Sequence, residues 1–198
     1  MNGTFMFGQD RFGETEDFYS TYRSRSIGGC PLTPEAVRSS VMATCTGLIR
    51  DYQNPDLVES FPVLSEGVRR YGKVLEENVP EIEAVIASHE VGCVPAWASE
   101  TLCRLSETHK FAIVSNVWAA ASHWTEELSR SGVANVCSGL IFSSDIGSIK
   151  PSPRPFLAAL HLLSARPQEA LFVGDSVERD IRPAKALGIG TAWVASAG

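Results

Sequence analysis

Apolar positions follow two different rhythms along this chain. From about residue 10 to 107 they recur at helical spacing, and from about 108 onward they gather into short runs separated by helical stretches. In the first part, Phe18, Tyr19 and Tyr22 predict a helix within 17–27. Thr33-Pro34-Glu35 combines a capping hydroxyl, a first-turn proline and an acid near the positive end of the helix dipole. Val37, Val41, Cys45 and Leu48 then predict a helix over 34–52, stopped by Asn54-Pro55. Further helices are expected over 64–75, 80–88 and 95–105, the last with Trp97 and Leu102 turned inward.

In the second part the apolar runs are 110–115, 139–142, 170–174 and 190–194, with helices expected near 119–130, 154–164 and 178–187. Continuous apolar runs alternating with helices predict an α/β fold whose parallel strands are buried on both faces. In such sheets, functional groups stand in the loops after the carboxyl ends of the strands. Trp97 and Trp193 read as core residues.

Composition narrows the class of protein. The 198 residues suffice for one α/β domain with a small insert. The net charge of −6 disfavours nucleic acid and anionic membranes as partners, so a small anionic substrate has to be held by local cationic groups. No apolar run reaches the ~20 residues needed to span a bilayer, and no signal peptide is evident, so the expected location is cytoplasmic. The five cysteines (Cys30, Cys45, Cys93, Cys103 and Cys137) show no CxxC spacing and read as buried thiols of a reducing compartment.

Three polar groups end or follow the apolar runs. Ser115 ends the first, Lys150 follows the second within Ile149-Lys150-Pro151-Ser152-Pro153, and Asp175 ends the third within Gly174-Asp175-Ser176-Val177-Glu178-Arg179-Asp180. Taken singly, the serine reads as a helix cap, the lysine as a solvated loop residue, and Asp175 or Ser176 as a cap. Together, at one sheet edge, a hydroxyl and an ammonium can hold phosphoryl oxygens while a carboxylate holds Mg²⁺.

Ser115-Asn116 after an apolar strand resembles the second motif of the haloacid dehalogenase-like superfamily. Lys150-Pro151-Ser152-Pro153-Arg154-Pro155-Phe156 resembles its third, and Gly174 to Asp180 resembles its fourth, with Lys150 and Asp175 lying 25 residues apart. The resemblance implies a Rossmann-like parallel sheet flanked by helices (108–198), an inserted all-helical cap (10–107), and a remnant of the first motif (1–9). It implies a hydrolase, in most such proteins a Mg²⁺-dependent phosphatase working through an aspartyl-phosphate on a small phosphorylated molecule. By the same resemblance Ser115, with Asn116 and Thr4, binds the phosphoryl group, and Lys150 neutralises nucleophile and phosphate. Asp175 holds Mg²⁺ directly or through water, and Asp180 supports either the metal site or Lys150. The cap excludes water and selects the substrate. Oligomeric state is open between monomer and homodimer.

The chain opens Met1-Asn2-Gly3-Thr4-Phe5, which resembles the tail of the family's Asp-x-Asp-Gly-Thr motif. Asn2 then stands where the second aspartate serves as acid, base and metal partner, and the nucleophilic aspartate falls one residue before Met1. The first core strand is therefore expected to be absent. One explanation is a translation start assigned too late, favoured because loss of a central strand removes a row of ladder hydrogen bonds. The other is a catalytically inactive relative with a binding or regulatory role. Asparagine cannot transfer a proton at neutral pH. A phospho-acceptor receiver domain fits poorly, because its metal acids precede its hydroxyl and lysine. No GxGxxG follows any strand. Arg23, Arg25, Arg69 and Arg70 read as solvated or as an anion clamp, Trp118 as a pocket wall, and His123 as a packing or surface residue.

Overall fold

The computed structural model describes residues 1, 3–26 and 31–195; Asn2 and Cys30 lie outside them. Among the described residues, five α-helices precede the first strand: α1 (Phe18–Arg25), α2 (Pro34–Gln53), α3 (Leu64–Tyr71), α4 (Val79–Glu90) and α5 (Ala96–Ser106). The long α2 starts where its cap predicts. The Thr33 hydroxyl accepts the Ala36 N–H at 3.2 Å, a bond worth ~1 kcal/mol at such positions. Its stripe of Val37, Val41, Cys45 and Leu48 packs with Phe18 and Tyr22 of α1 and with Val68, Ile82 and Ile86 of α3 and α4. Each fully buried apolar side chain here contributes roughly 1.5–3 kcal/mol, so this cluster is a core in its own right.

The remaining elements are β1 (Ala112–Ser115), α6 (Ala121–Arg130), β2 (Gly139–Phe142), α7 (Ser143–Ile146), α8 (Pro153–Leu163), β3 (Leu171–Gly174), α9 (Arg182–Ala186) and β4 (Gly190–Trp193). A π-helical turn, Val177–Ile181, leads into α9. The fold is α/β with parallel strands, as expected, but the strands fall into two pairs. β1 pairs with β2 with Ser115 opposite Phe142, and β3 pairs with β4 with Gly174 opposite Trp193. Between β1 and β3 runs a groove of ≈ 710 Å³, bordered by Ala112, Val114, Phe156, Leu160, Leu171 and Phe172.

This division corrects the expectation of strands buried on both faces. In β3, the Phe172 ring packs tilted against Phe156 of α8 with centroids 4.9 Å apart, but Leu171 and Val173 are exposed. Both expected core tryptophans are also exposed, Trp97 and Trp193 at 59 % each. Ala98 and Leu102, four residues apart, form the inward stripe of α5. Trp97 lies one position off that stripe and meets Phe7 instead, with ring centroids 5.9 Å apart. Trp193 sits on open β4, and its Nε1–H donates to the Asp175 carbonyl at 3.0 Å. Of the described cysteines only Cys45 is buried, and Cys93 is exposed.

The loops that follow the strands are fixed to the helical part. Ala119 and Ile149 belong to the helical core cluster. Two backbone bonds, Phe61 N–H to Gly147 O at 3.0 Å and Ile149 N–H to Val58 O at 2.9 Å, hold the loop after β2 against the helices. Val94 and Ala98 bury instead with Ile113 and Trp124, so α5 packs with the strand region. No helix among the described residues is long and apolar enough to cross a membrane.

Candidate phosphoryl site

Ser115, Lys150 and Asp175 all line one cavity of ≈ 550 Å³, together with Asn116, Arg179 and Asp180. The convergence follows from topology. β1 and β3 are parallel to their neighbours, and Ser115 and Gly174-Asp175 lie at their carboxyl ends. Ser115 is buried, and its hydroxyl makes no side-chain hydrogen bond among the described residues, so it is free to donate to a ligand. Lys150 is also buried. Its ammonium donates to Asp180 Oδ1 at 2.5 Å and to the Val114 carbonyl at 3.5 Å.

Asp180 is fully engaged. Oδ2 accepts the Ser176 N–H at 3.0 Å while Oδ1 meets Lys150. In this structure Asp180 is the ion-pair partner of Lys150. Its closeness explains Gly174: a Cβ there would come within 2.6 Å of Asp180 Cβ and Oδ2. Ser176 caps the following turn by accepting the Arg179 N–H at 3.2 Å.

Asn116 and Thr4, expected to touch phosphate, are engaged elsewhere. Asn116 Oδ1 accepts the Lys150 backbone N–H at 2.8 Å, and its amide donates to the Lys150 carbonyl at 3.1 Å and the Tyr52 hydroxyl at 2.9 Å. It holds the lysine's backbone in place. The Thr4 hydroxyl donates to Asp175 Oδ1 at 3.3 Å, so Thr4 orients that carboxylate. Gly3 makes this approach possible, since its φ is +72° and a Cβ would lie 2.6 Å from Asp175 Oδ2. Asn2 lies outside the described residues.

Arg179 is a residue that the motif contained without a role. It donates to the Lys150 carbonyl at 2.8 Å and to the Tyr52 carbonyl at 2.7 Å, and its guanidinium lies 3.5 Å from the Tyr52 ring centroid. It thus ties the end of α2 to the lysine loop. Glu90 was also missed. It ends α4 and accepts the Trp118 and Ala119 N–H groups at 2.6 and 2.7 Å. Burial pushes its carboxyl up to about 8, against the lowering effect of those two donors. An acid in the last turn of a helix opposes the dipole, and that misplacement was its one sequence signal. Asp10 and Trp118 line the cavity as well.

The remaining candidates lie apart. Arg69 pairs with Glu76 at 2.8 Å and Arg70 with Asp51 at 3.4 Å. Arg23 and Arg25 border other surface hollows, the latter beside His123. None of them lines the site.

Mg²⁺ takes hard oxygen ligands, commonly one or two carboxylates completed by water and phosphate oxygens. Asp175, exposed to the cavity, offers one such carboxylate. Among the described residues no group of three His, Cys, Asp or Glu side chains could hold a metal by itself. The donors fit a cation shared with a bound phosphate, and they do not form an all-protein cage.

A hydroxyl, a buried ammonium and a carboxylate thus line one cavity at the carboxyl ends of parallel strands in an α/β protein. The chain belongs to the haloacid dehalogenase-like hydrolase family, whose model matches residues 31–194. It is similar to the glyceraldehyde 3-phosphate phosphatase of Methanopyrus kandleri, 38 % identical over 72 residues that cover 36 % of this chain and 30 % of the relative. It is also similar to the phosphoglycolate phosphatase of Xylella fastidiosa, 26 % identical over 149 residues covering 67 % of this chain and 62 % of the relative. The chain thus spans less than two thirds of the length of these curated relatives. In fold it resembles a HAD phosphatase from Thermococcus onnurineus (TM-score 0.58, 21 % identity, 92 % of this chain and 76 % of the other). It likewise resembles a HAD-family enzyme of Bacteroides thetaiotaomicron in complex with magnesium and inorganic phosphate (TM-score 0.57, 19 % identity, 81 % and 87 %).

Proposed function

We propose that this protein is a Mg²⁺-dependent phosphatase that hydrolyses a small phosphorylated metabolite through an aspartyl-phosphate. The observation that carries this reading is that Ser115, Lys150 and Asp175 line a single cavity. The phosphatase names of the similar curated proteins support the same class, and magnesium in a structural neighbour supports the cofactor.

In this reading Ser115 donates its hydroxyl proton to a phosphoryl oxygen, and Lys150 places a fixed positive charge where negative charge grows in the transition state. Asp180 keeps Lys150 oriented, while Asn116 and Arg179 fix its backbone. Asp175, steadied by Thr4, would hold Mg²⁺, which when bound screens the phosphoryl charge. Helices α1–α4 act as the cap. Phe12, Ile49, Tyr52 and Trp118 line the cavity and give the non-reacting part of the substrate its apolar contacts. The cavity's ≈ 550 Å³ matches the size of a site for a small molecule.

The test is phosphate release by the protein from a panel of small phosphate esters, with Mg²⁺ and with chelator. Turnover that needs Mg²⁺ and falls at least ~100-fold in Lys150→Ala is expected, given the usual size of such electrostatic contributions. Absence of release from every ester contradicts the proposal.

A further inference from the structure

When a phosphate ester is cleaved, the leaving alkoxide needs a proton, and a positioned side chain with a raised pKa supplies it best. The carboxyl groups lining the cavity are Asp10, Glu90, Asp175 and Asp180. Asp180 is bound by Lys150 and the Ser176 N–H. Both oxygens of Glu90 are taken by the Trp118 and Ala119 N–H groups. Asp175 bears the metal position and accepts from Thr4. Asp10 alone of the four has no side-chain hydrogen bond or ion pair among the described residues.

The backbone holds Asp10 in place with some strain. Its φ is +56°, in the left-handed region that few non-glycine residues adopt. The conformation persists because the segment is pinned to the end of α4: Asp10 N–H to Glu90 O at 3.3 Å, Arg11 N–H to His89 O at 2.9 Å, and the Arg11 guanidinium to Ser88 O at 2.5 Å. Strain maintained by this many contacts is a mark of functional positions. The Asp10 carboxyl is solvent-accessible at the cavity wall, yet its protein surroundings raise it above the ordinary value by desolvation.

We infer that Asp10 is the proton donor to the leaving group, an inference that rests on the phosphatase reading. In the first step an aspartate carboxylate oxygen attacks phosphorus. The bond from phosphorus to the ester oxygen breaks, its electron pair goes to that oxygen, and the oxygen takes the Asp10 proton to leave as an alcohol. In the second step water attacks phosphorus and gives a proton to the Asp10 carboxylate. The acyl–phosphate bond breaks with its electron pair returning to the nucleophile, and inorganic phosphate is released. Asp10 is thereby reprotonated for the next cycle.

The experiment compares turnover of an alkyl phosphate with that of p-nitrophenyl phosphate, whose leaving group needs little protonation. It uses the unsubstituted protein, Asp10→Asn and Asp10→Glu. Asp10→Asn is expected to lose about 100-fold or more on the alkyl ester and at most about threefold on the aryl ester. Asp10→Glu should regain part of the alkyl activity. In the unsubstituted protein, a series of aryl esters should show rates nearly independent of leaving-group acidity, a measurement that needs no variant. Equal losses on both esters, no loss on the alkyl ester, or a steep leaving-group dependence in the unsubstituted protein overturns the assignment. Silence of the unsubstituted protein on both esters overturns the phosphatase reading itself, and Asp10's role with it.

Discussion

Lys150 and Asp180 form a buried ion pair: Nζ lies 2.5 Å from Oδ1, with side-chain exposures of 9 % and 5 %. The pair couples two strand-end loops, since Lys150 follows β2 and Asp180 follows β3. Removing one member leaves a charge with little solvent to receive it, and such losses run to roughly 3–5 kcal/mol. Asp180→Ala should therefore lower the midpoint of urea unfolding markedly. The double substitution Lys150→Met/Asp180→Leu should regain much of the stability while remaining inactive, because apolar replacement of both partners is often tolerated. A double variant as unstable as Asp180→Ala alone would show that the pair matters for more than mutual neutralisation.

Asn116 and Arg179 carry the next prediction. Both hold the backbone of Lys150, and both also engage Tyr52. Each is expected to be a positioning residue. Asn116→Ala and Arg179→Met should weaken inorganic phosphate binding about tenfold, as loss of one or two bonds of ~1 kcal/mol predicts. Lysine at 179 should restore little, because it lacks the planar fork that reaches two carbonyls. Titration calorimetry with phosphate and Mg²⁺ checks this; unchanged affinity in both variants would count against it.

Glu90 makes stability depend on pH. Its carboxyl is raised in the folded state from 4.5 to about 8, by burial first. The folded protein keeps this proton where the unfolded chain has lost it. Its stabilising contribution is therefore full below pH 4.5 and is lost as pH rises through about 8. Asp10, whose backbone N–H bonds the Glu90 carbonyl, is also raised and adds in the same direction. Urea unfolding at about pH 5 and about pH 9 should show lower stability at the higher value, and Glu90→Gln should flatten the difference. A wild-type curve that rises over this window contradicts the assignment.

Much of the fold was readable because its signals are local. Thr33 caps α2 as its hydroxyl predicts, and the run 139–142 coincides with β2. The motif residues Ser115, Lys150 and Asp175 were legible as a set because strand order in a parallel sheet brings sequence-distant loops to one edge. What failed was orientation. Trp97 and Trp193 look like core residues by type, but a 100° step on α5 and an open strand face expose them. The hydrogen bonds of Asn116, Thr4 and Asp180 were not legible either. A sequence shows that a polar side chain stands near a site, whereas only geometry shows that its bonds are spent on Lys150 or Asp175. Glu90 and Asp10 reach the cavity through the α4 end and the segment pinned to it, a long-range contact that no periodicity encodes.

The central claim is that one cavity holds a phosphate between Ser115 and Lys150 with a cation at Asp175. A crystal structure of the protein grown with Mg²⁺ and inorganic phosphate tests it most directly. The account predicts phosphate oxygens within hydrogen-bond distance of Ser115 Oγ and Lys150 Nζ, and Mg²⁺ coordinated by Asp175 directly or through water. An anion bound away from these two groups, or a cation that leaves Asp175 untouched, would contradict it.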